Sequence, residues 1–247
     1  MDRMVYLAGV AGREIMRAQA VNANNLANSN TPGFREDLIH AQDLQVFGPG
    51  HASRVYSQSQ TIGADMTPGA LMATGRELDM SIKGQGWIAV QNQQGAEAYT
   101  RAGDLRVSST GLLTNGAGHP IMGNNGGPIT IPPFEKLDIG VDGTISIRPQ
   151  GQEATALVVV DRIKLVNPPE QELRKGNDGL FTWTQGDVAP ADANVSVVSG
   201  LLEGSNVNSV DAMVSMMELA RKFELQIKMM DQAKKNDAAS SKMMQMS

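Results

Sequence analysis

The chain has no cysteine, which excludes disulfide staples and thiolate metal sites and fits any redox compartment. Aromatic residues make up only 4%, so any core must be built from small aliphatic side chains. No apolar run approaches the ~18 residues of a membrane-spanning helix. Lysine and arginine form no basic run, and the net charge is −5; both argue against nucleic acid or an anionic membrane as a partner. Met1-Asp2-Arg3 places an acid where a secretory signal is basic. The apolar run Met4–Ala11 is broken by Gly9 and leaves through Gly12-Arg13-Glu14. A cleaved secretory signal is not expected, and export would use another route. What is present is ordinary globular composition, 41% hydrophobic and 19% charged over 247 residues, enough for one large or two small domains.

The two ends read as helices. Met213, Met216, Ala220, Phe223, Ile227 and Met230 recur in steps of three and four, a heptad-type seam. Asn208 is placed to cap this helix, with Asp211 three residues on as a capping-box-like partner. No glycine or proline interrupts Ser209–Lys235, a stretch of roughly 40 Å at ~1.5 Å per residue. Such an arm needs a partner helix to bury its seam. Met4, Leu7, Ala11, Ile15, Ala18 and Val21 supply one at the other end of the chain. Gly9 and Gly12 weaken that N-terminal helix by ~1 kcal/mol each, so it should be stable only when packed. Eight of the fifteen methionines follow residue 212. They read as adaptable core filling for a helix with non-equivalent surroundings.

The N-terminal helix should end near Leu26 or Ala27, with Asn28 in the left-handed conformation that closes helices. Pro32-Gly33 is a type II turn pair, with Phe34 as an apolar anchor at its exit. Leu38, Ile39, Ala41 and Leu44 suggest a second helical piece within Arg35–Phe47. Gly48–Gly75 is rich in small and polar residues and reads as an extended connector, with one strand at Arg54–Gln58. From Glu77 the period becomes two. Short strands are expected around Leu78–Ile82, Trp87–Val90, Tyr99–Arg101, Leu105–Val107, Ile129–Ile131, Leu137–Val141, Thr144–Ile147, Ala156–Leu165, Gly179–Thr184 and Val195–Gly200. An Asp142-Gly143 hairpin turn lies among them. The expected class is α+β: residues 1–34 a helix and turn, 35–76 a connector, 77–199 an all-β domain, and 200–247 a helix packing on the first in a coiled-coil-like layer.

Candidate chemistry fails residue by residue. His40, His51 and His119 lie in unrelated segments without a second ligand at metal spacing. Gly84-Gln85-Gly86 meets Ala89 where a dinucleotide loop needs glycine. Asp138–Gly143 resembles a calcium loop faintly, but Pro149 stands where the bidentate glutamate belongs, and a β-turn is the better reading. Asn194-Val195-Ser196 is a common accidental match to a glycosylation sequon. No catalytic residue, metal site or cofactor is expected.

Two longer patterns remain. Ala23-Asn24-Asn25-Leu26-Ala27-Asn28, followed by Asn30-Thr31-Pro32-Gly33-Phe34, resembles the N-terminal signature of bacterial flagellar rod and hook proteins. Gly200–Asn208, followed by Arg221-Lys222-Phe223-Glu224, resembles their C-terminal signature. Thr74–Asp79, Gly84–Trp87 and Tyr99–Gly103 look like the entry motifs of the family's β-domain. Length, the Gly63–Gly69 stretch, Pro32 and the Met-Asp opening are similar to the proximal rod branch rather than the distal rod or the hook.

The resemblance implies a structural subunit, not an enzyme. It implies terminal helices lining a hollow rod, with the β-domain outside, and ends that fold on assembly. It also implies type III export, a periplasmic basal-body location, and partners among the other rod subunits and copies of the same chain. The assembly residues it implies, together with the helical seam, are Asn24, Asn25, Leu26, Asn28, Pro32, Gly33, Phe34, Met213, Met216, Ala220, Phe223, Ile227 and Met230. The alternatives are a distal rod or hook-like subunit, a secreted β-domain binding module, and a cell-wall-cleaving enzyme. The last would need a carboxylate pair in a cleft.

Overall fold

The computed structural model describes residues 3–45, 55–151, 157–186 and 188–245. The chain divides into two compact units. The first comprises Met1–Asn28, Asp37–Asp65 and Val207–Ser247; the second comprises Ser29–Glu36 and Met66–Asn206.

The first unit contains α1 (Arg3–Ala27), β1 (Asp37–Gln45), β2 (Val55–Ala64) and, at the far end of the chain, the 37-residue α2 (Ser209–Gln245). The cap of α2 is the expected one. Asn208 Oδ1 accepts from the amides of Val210 (3.0 Å) and Asp211 (3.4 Å), and its Nδ2 donates to Asp211 Oδ2 at 2.6 Å. Asn28 closes α1 differently from expectation. Among the described residues only glycines have positive φ. Instead, the Asn28 backbone amide reaches the Asn24 and Asn25 carbonyls, both at 3.1 Å, and its side-chain amide adds a second bond to the Asn24 carbonyl at 3.0 Å.

The helices pack antiparallel. Asn22 Nδ2 donates to the Ala212 carbonyl at 2.7 Å, and Gly12, earlier in α1, faces Phe223, later in α2. Small residues make this approach, with Ala8, Ala212 and Ala233 buried. Half of the expected seam, Met216, Phe223 and Met230, lies on the buried face, while its alternate positions shift by one residue, from Met213, Ala220 and Ile227 to Ala212, Leu219 and Gln226. Ala212, Met216, Leu219, Phe223, Gln226, Met230 and Ala233 are the buried or half-buried positions of α2, whereas Met213 (53% exposed), Ala220 and Ile227 (45%) face away. Apolar spacing alone does not choose between Met213 and Ala212, or between Ile227 and Gln226, because both sets recur in steps of three and four.

The helical piece expected within Arg35–Phe47 does not form, and the 35–76 connector is not simply extended. β1 and β2 pair antiparallel from Asp37↔Ala64 to Gln45↔Val55, with a register slip between Leu38 and Ile39. Spacing over so short an apolar run does not separate helix from strand. Residues 46–54, which include His51 and Arg54, lie outside the described residues. Asn25, buried in α1, holds the start of β1 like a paired strand: its Oδ1 accepts from the Asp37 amide (2.9 Å) and its Nδ2 donates to the Asp37 carbonyl (3.0 Å).

The second unit is built from short antiparallel strands, as the period-two pattern predicts. They are β3 (Leu71–Ala73), β4 (Met80–Lys83), β5 (Trp87–Gln91), β6 (Glu97–Thr100), β7 (Leu105–Val107), β8 (Leu113–Asn115), β9 (Phe134–Ile139), β10 (Thr144–Pro149), β11 (Val158–Arg162), β12 (Leu165–Val166), β13 (Leu173–Lys175), β14 (Phe181–Trp183), β15 (Ser196–Ser199) and β16 (Leu201–Glu203). The largest sheet runs β12-β5-β6-β14-β13, and a second runs β11-β10-β9. β15 pairs with β4, and β16 with β3, bringing the C-terminal end of the unit back to its entry. Ile129–Ile131 contributes only an isolated bridge, Leu112↔Thr130. The expected strand Ala156–Leu165 is split into β11 and β12, and Ala156 lies outside the described residues.

The core is aliphatic, as the shortage of aromatics requires: Ile88, Leu105, Ile121, Leu137, Ile145 and Ile163 are among its fully buried members. Burying each such side chain contributes ~1.5–3 kcal/mol. Asp142-Gly143 is the hairpin turn before β10, with Gly143 at φ +82°. The Asp142 carboxylate accepts from the Thr144 hydroxyl (2.7 Å) and amide (3.2 Å) within that turn. These bonds hold its pKa below the usual carboxylate value. A second polar network lies in the largest sheet. Lys164 Nζ donates to both oxygens of Glu97 (2.8 and 2.9 Å), and the Tyr99 hydroxyl donates to Glu97 while accepting from the Ala189 amide. Burial raises the Tyr99 pKa.

Candidate functional site

The segment Ser29–Glu36 forms no strand, yet it belongs to the β-rich unit. Its conformation begins with the turn legible in the sequence. The Phe34 amide donates to the Thr31 carbonyl at 3.3 Å across Pro32-Gly33, and Gly33 takes φ +68°, the geometry of a type II turn. Gly33 also lies against backbone. Its amide donates to the Glu203 carbonyl at 2.8 Å, and a Cβ there would come within 2.3 Å of the Arg101 carbonyl carbon. Phe34 is buried, with Lys175 Nζ 3.7 Å from its ring centroid. The same ammonium donates to the Arg35 carbonyl at 2.7 Å.

Arg35 is the residue that sequence reasoning missed. It is 1% exposed, and its Nη2 donates to Glu203 Oε1 at 2.5 Å. Glu203, 2% exposed, uses its other oxygen for Arg101 Nη1 at 3.2 Å and shares Oε1 with the Gly69 amide at 3.1 Å. Two guanidinium groups thus share one carboxylate away from water. Arg101 is further placed by the Gly84 carbonyl (2.9 Å) and by the face of Trp87, 5.3 Å from its centroid. Burial lowers the Arg101 pKa and Arg35 pushes the same way, while Glu203 opposes both. Asn206 completes the surround. Its amide donates to the Phe34 carbonyl (3.3 Å), its Oδ1 accepts from the Glu36 amide (2.7 Å), and its Nδ2 donates to the Thr67 carbonyl (3.2 Å). Arg101 and Glu203 do stand between small or apolar neighbours, in Thr100-Arg101-Ala102 and Leu202-Glu203-Gly204, but Arg35 follows Phe34 and precedes Glu36 and carries no such signal.

The residues singled out from the sequence therefore fall into separate groups. Pro32, Gly33 and Phe34 dock in the β-rich unit. Asn24, Asn25 and Asn28 work at the end of α1, where Leu26 is half-buried; Met216, Phe223 and Met230 are half-buried on α2, with Phe223 against Gly12 of α1, and Met213, Ala220 and Ile227 are exposed. Among the described residues no group of three or more His, Asp or Glu is placed to hold a metal, and no helix is long and apolar enough to cross a membrane.

Gly33→Val is expected to unseat the turn, because the new side chain meets backbone that cannot move aside. Gly95→Val shares a positive φ of +85° but meets only the end of Gln91, 3.8 Å away, so its effect should be confined to ~1–2 kcal/mol of local strain. Motility and thermal melting of the two variants check the difference; equal behaviour contradicts the assignment.

Three family models match this chain. The flagella basal body rod protein model covers residues 16–35, the flagellar hook protein FlgE/F/G D1 domain covers 81–147, and the flagellar basal body rod FlgEFG protein C-terminal model covers 198–243. The chain is 42% identical to the flagellar basal-body rod protein FlgF of Salmonella typhimurium over the full length of both chains, and 41% identical to that of Escherichia coli K12, also full length. The chain belongs to the FlgF-like flagellar basal-body rod proteins. FlgG, the related rod protein of Bacillus subtilis, is 29% identical over 91% of the chain. A FlgF-like rod protein is a structural subunit of the flagellar basal body, assembled with other rod subunits, and not an enzyme. The matched N-terminal and C-terminal segments contain Arg35 and Glu203, which with Arg101 form a buried ionic clamp.

Proposed function

We propose that this rod protein serves in the proximal rod, where α1 and α2 pack with the same helices of neighbouring subunits into a tubular, coiled-coil-like layer. That layer transmits torque and encloses the export channel. The observation that carries this reading is a second apolar stripe on α2. Met213, Met217, Ala220 and Ile227 repeat at heptad spacing one residue out of phase with the seam that meets α1, interrupted at Glu224 and ending where Asp231 and Lys234 follow, and Met213, Met217 and Ile227 are 53%, 57% and 45% exposed. One residue is about 100° around a helix, so α2 carries two adjacent seams. One is filled within the chain, and the other is open to a neighbouring helix.

On this reading Met213, Ala220 and Ile227 are assembly contacts, while Met216, Phe223 and Met230 shape the helical pair that presents them. Asn24, Asn25, Leu26 and Asn28, with Pro32, Gly33 and Phe34, fix the path of the chain between α1 and β1. Delivery by the flagellar type III export apparatus and a periplasmic position in the basal body follow from the same family resemblance. The 42% identity to FlgF, against 29% to FlgG, supports the proximal position.

Met217→Asp tests the stripe. The side chain is exposed in the monomer, so the purified variant should melt within about 0.5 kcal/mol of the parent. In the assembly the carboxylate would be buried without a partner, and swimming in soft agar should be lost. A motile Met217→Asp strain would remove the stripe from the interface.

A further inference from the structure

The Ser29–Glu36 segment is attached to the β-rich unit in the manner of a bound peptide. It adds no strand to any sheet, and on both sides its neighbours in sequence belong to the other unit. What holds it is a set of discrete contacts: the Gly33 amide on the Glu203 carbonyl, the Phe34 ring and Arg35 carbonyl on Lys175, the Phe34 carbonyl and Glu36 amide on Asn206, and the Arg35 guanidinium on Glu203. The receiving surface is contributed by the opposite end of the unit, Glu203 and Asn206, and by Arg101 and Lys175 from its middle. Its chemistry is complementary to this peptide in detail. A buried carboxylate takes a cation, an ammonium caps an aromatic face and a carbonyl, and an asparagine pairs with backbone. The Arg101 backbone leaves room only for a glycine at the turn, since a Cβ would sit 2.3 Å from its carbonyl carbon. Arg101 meanwhile already balances Glu203, so the receiving surface keeps an ion pair when the segment is absent.

We propose that Ser29–Glu36 is a detachable peptide ligand of the β-rich unit, and that the Glu203–Arg101–Lys175–Asn206 surface also accepts this segment in trans, from a second copy of the chain. The proposal rests on contacts within the unit and stands independently of the rod assembly reading.

The test uses the full-length chain and a fluorescein-labelled synthetic peptide of residues 28–37. Gly33→Val keeps every receiving residue but prevents the chain's own segment from seating. Anisotropy titration is expected to show saturable binding of the wild-type peptide to the Gly33→Val chain. Binding should be at least tenfold weaker to the wild-type chain, whose site is filled, and at least tenfold weaker for a peptide carrying Arg35→Ala. Absence of saturable binding to a folded Gly33→Val chain overturns the proposal, as does equal binding of both peptides to both chains. Should Gly33→Val fail to fold, hydrogen exchange of the wild-type chain decides. A detachable segment exposes the Gly33, Glu36 and Asn206 amides at least tenfold faster than those of Ile88 and Tyr99, whereas exchange of all five at one common rate overturns the proposal.

Discussion

Glu203→Gln is expected to lower the melting temperature of the β-rich unit by roughly 10 °C. The expectation comes from counting charges. Arg35 and Arg101 place two cations on one carboxylate, at side-chain exposures of 0%, 7% and 2%. Glutamine preserves the shape and an oxygen for the Gly69 amide, but it leaves two buried guanidinium groups facing each other with no anion between them. Removing one partner of a buried pair typically costs ~3–5 kcal/mol, because the remaining charge is stranded away from water. For a unit of this size each kcal/mol moves the melting temperature by ~2–4 °C.

Arg35→Met should behave differently. It leaves Arg101 and Glu203 as a one-to-one pair. It also removes a guanidinium whose Nε and Nη1 are buried with no hydrogen-bond partner, so part of the lost attraction is offset by a lost desolvation penalty. The cost should stay under ~2 kcal/mol and show mainly as faster exchange of the Gly33 and Glu36 amides. Paired thermal melts, followed by near-UV circular dichroism from Trp87 and Trp183, measure both. Equal effects of the two variants would mean that Glu203 acts through its shape and not its charge.

The clamp also marks where the sequence stopped being legible. Local chemistry could be read directly. The Asn208–Asp211 cap, the Pro32-Gly33 turn, the Asp142-Gly143 hairpin and most of the period-two strands depend on neighbours a few residues apart. Arg35 and Glu203 are 168 residues apart in sequence. A lone arginine after a phenylalanine is ordinarily a solvated side chain, so nothing local announced its burial. β1 was misread for a related reason. Its partner β2 lies across residues 46–54, and only that pairing decides between a short helix and a strand. The seam of α2 is legible at Met216, Phe223 and Met230, but its alternate positions fall one residue earlier than hydrophobicity suggests, since Met213 and Ile227 outrank Ala212 and Gln226. Only the packing against α1 decides between them.

That phase error sharpens what is expected of position 220. Ala220→Pro should abolish motility without moving the melting transition of the β-rich unit. Ala220 lies in the interior of the first half of α2, on the exposed stripe, and its amide would bond to the Met216 carbonyl in an uninterrupted helix. Proline removes that bond and clashes with the same carbonyl, costing ~3 kcal/mol or more. The damage falls on the helical unit, which is distinct from the unit containing the aliphatic core. The β-rich transition should therefore stay in place, while helicity near 222 nm falls.

Ala220→Asp separates the helix from its surface. Aspartate is tolerated in an exposed helix position at a cost of less than ~1 kcal/mol, so the purified chain should keep its helicity. An unpaired carboxylate in an apolar interface between subunits is not tolerated, and motility should again be lost. Glu218→Gln lies on neither seam and should swim normally. A motile Ala220→Asp strain combined with a non-motile Ala220→Pro strain would place the requirement in the integrity of the α1–α2 pair alone. A motile Ala220→Pro strain would show that α2 is not the element on which the rod is assembled.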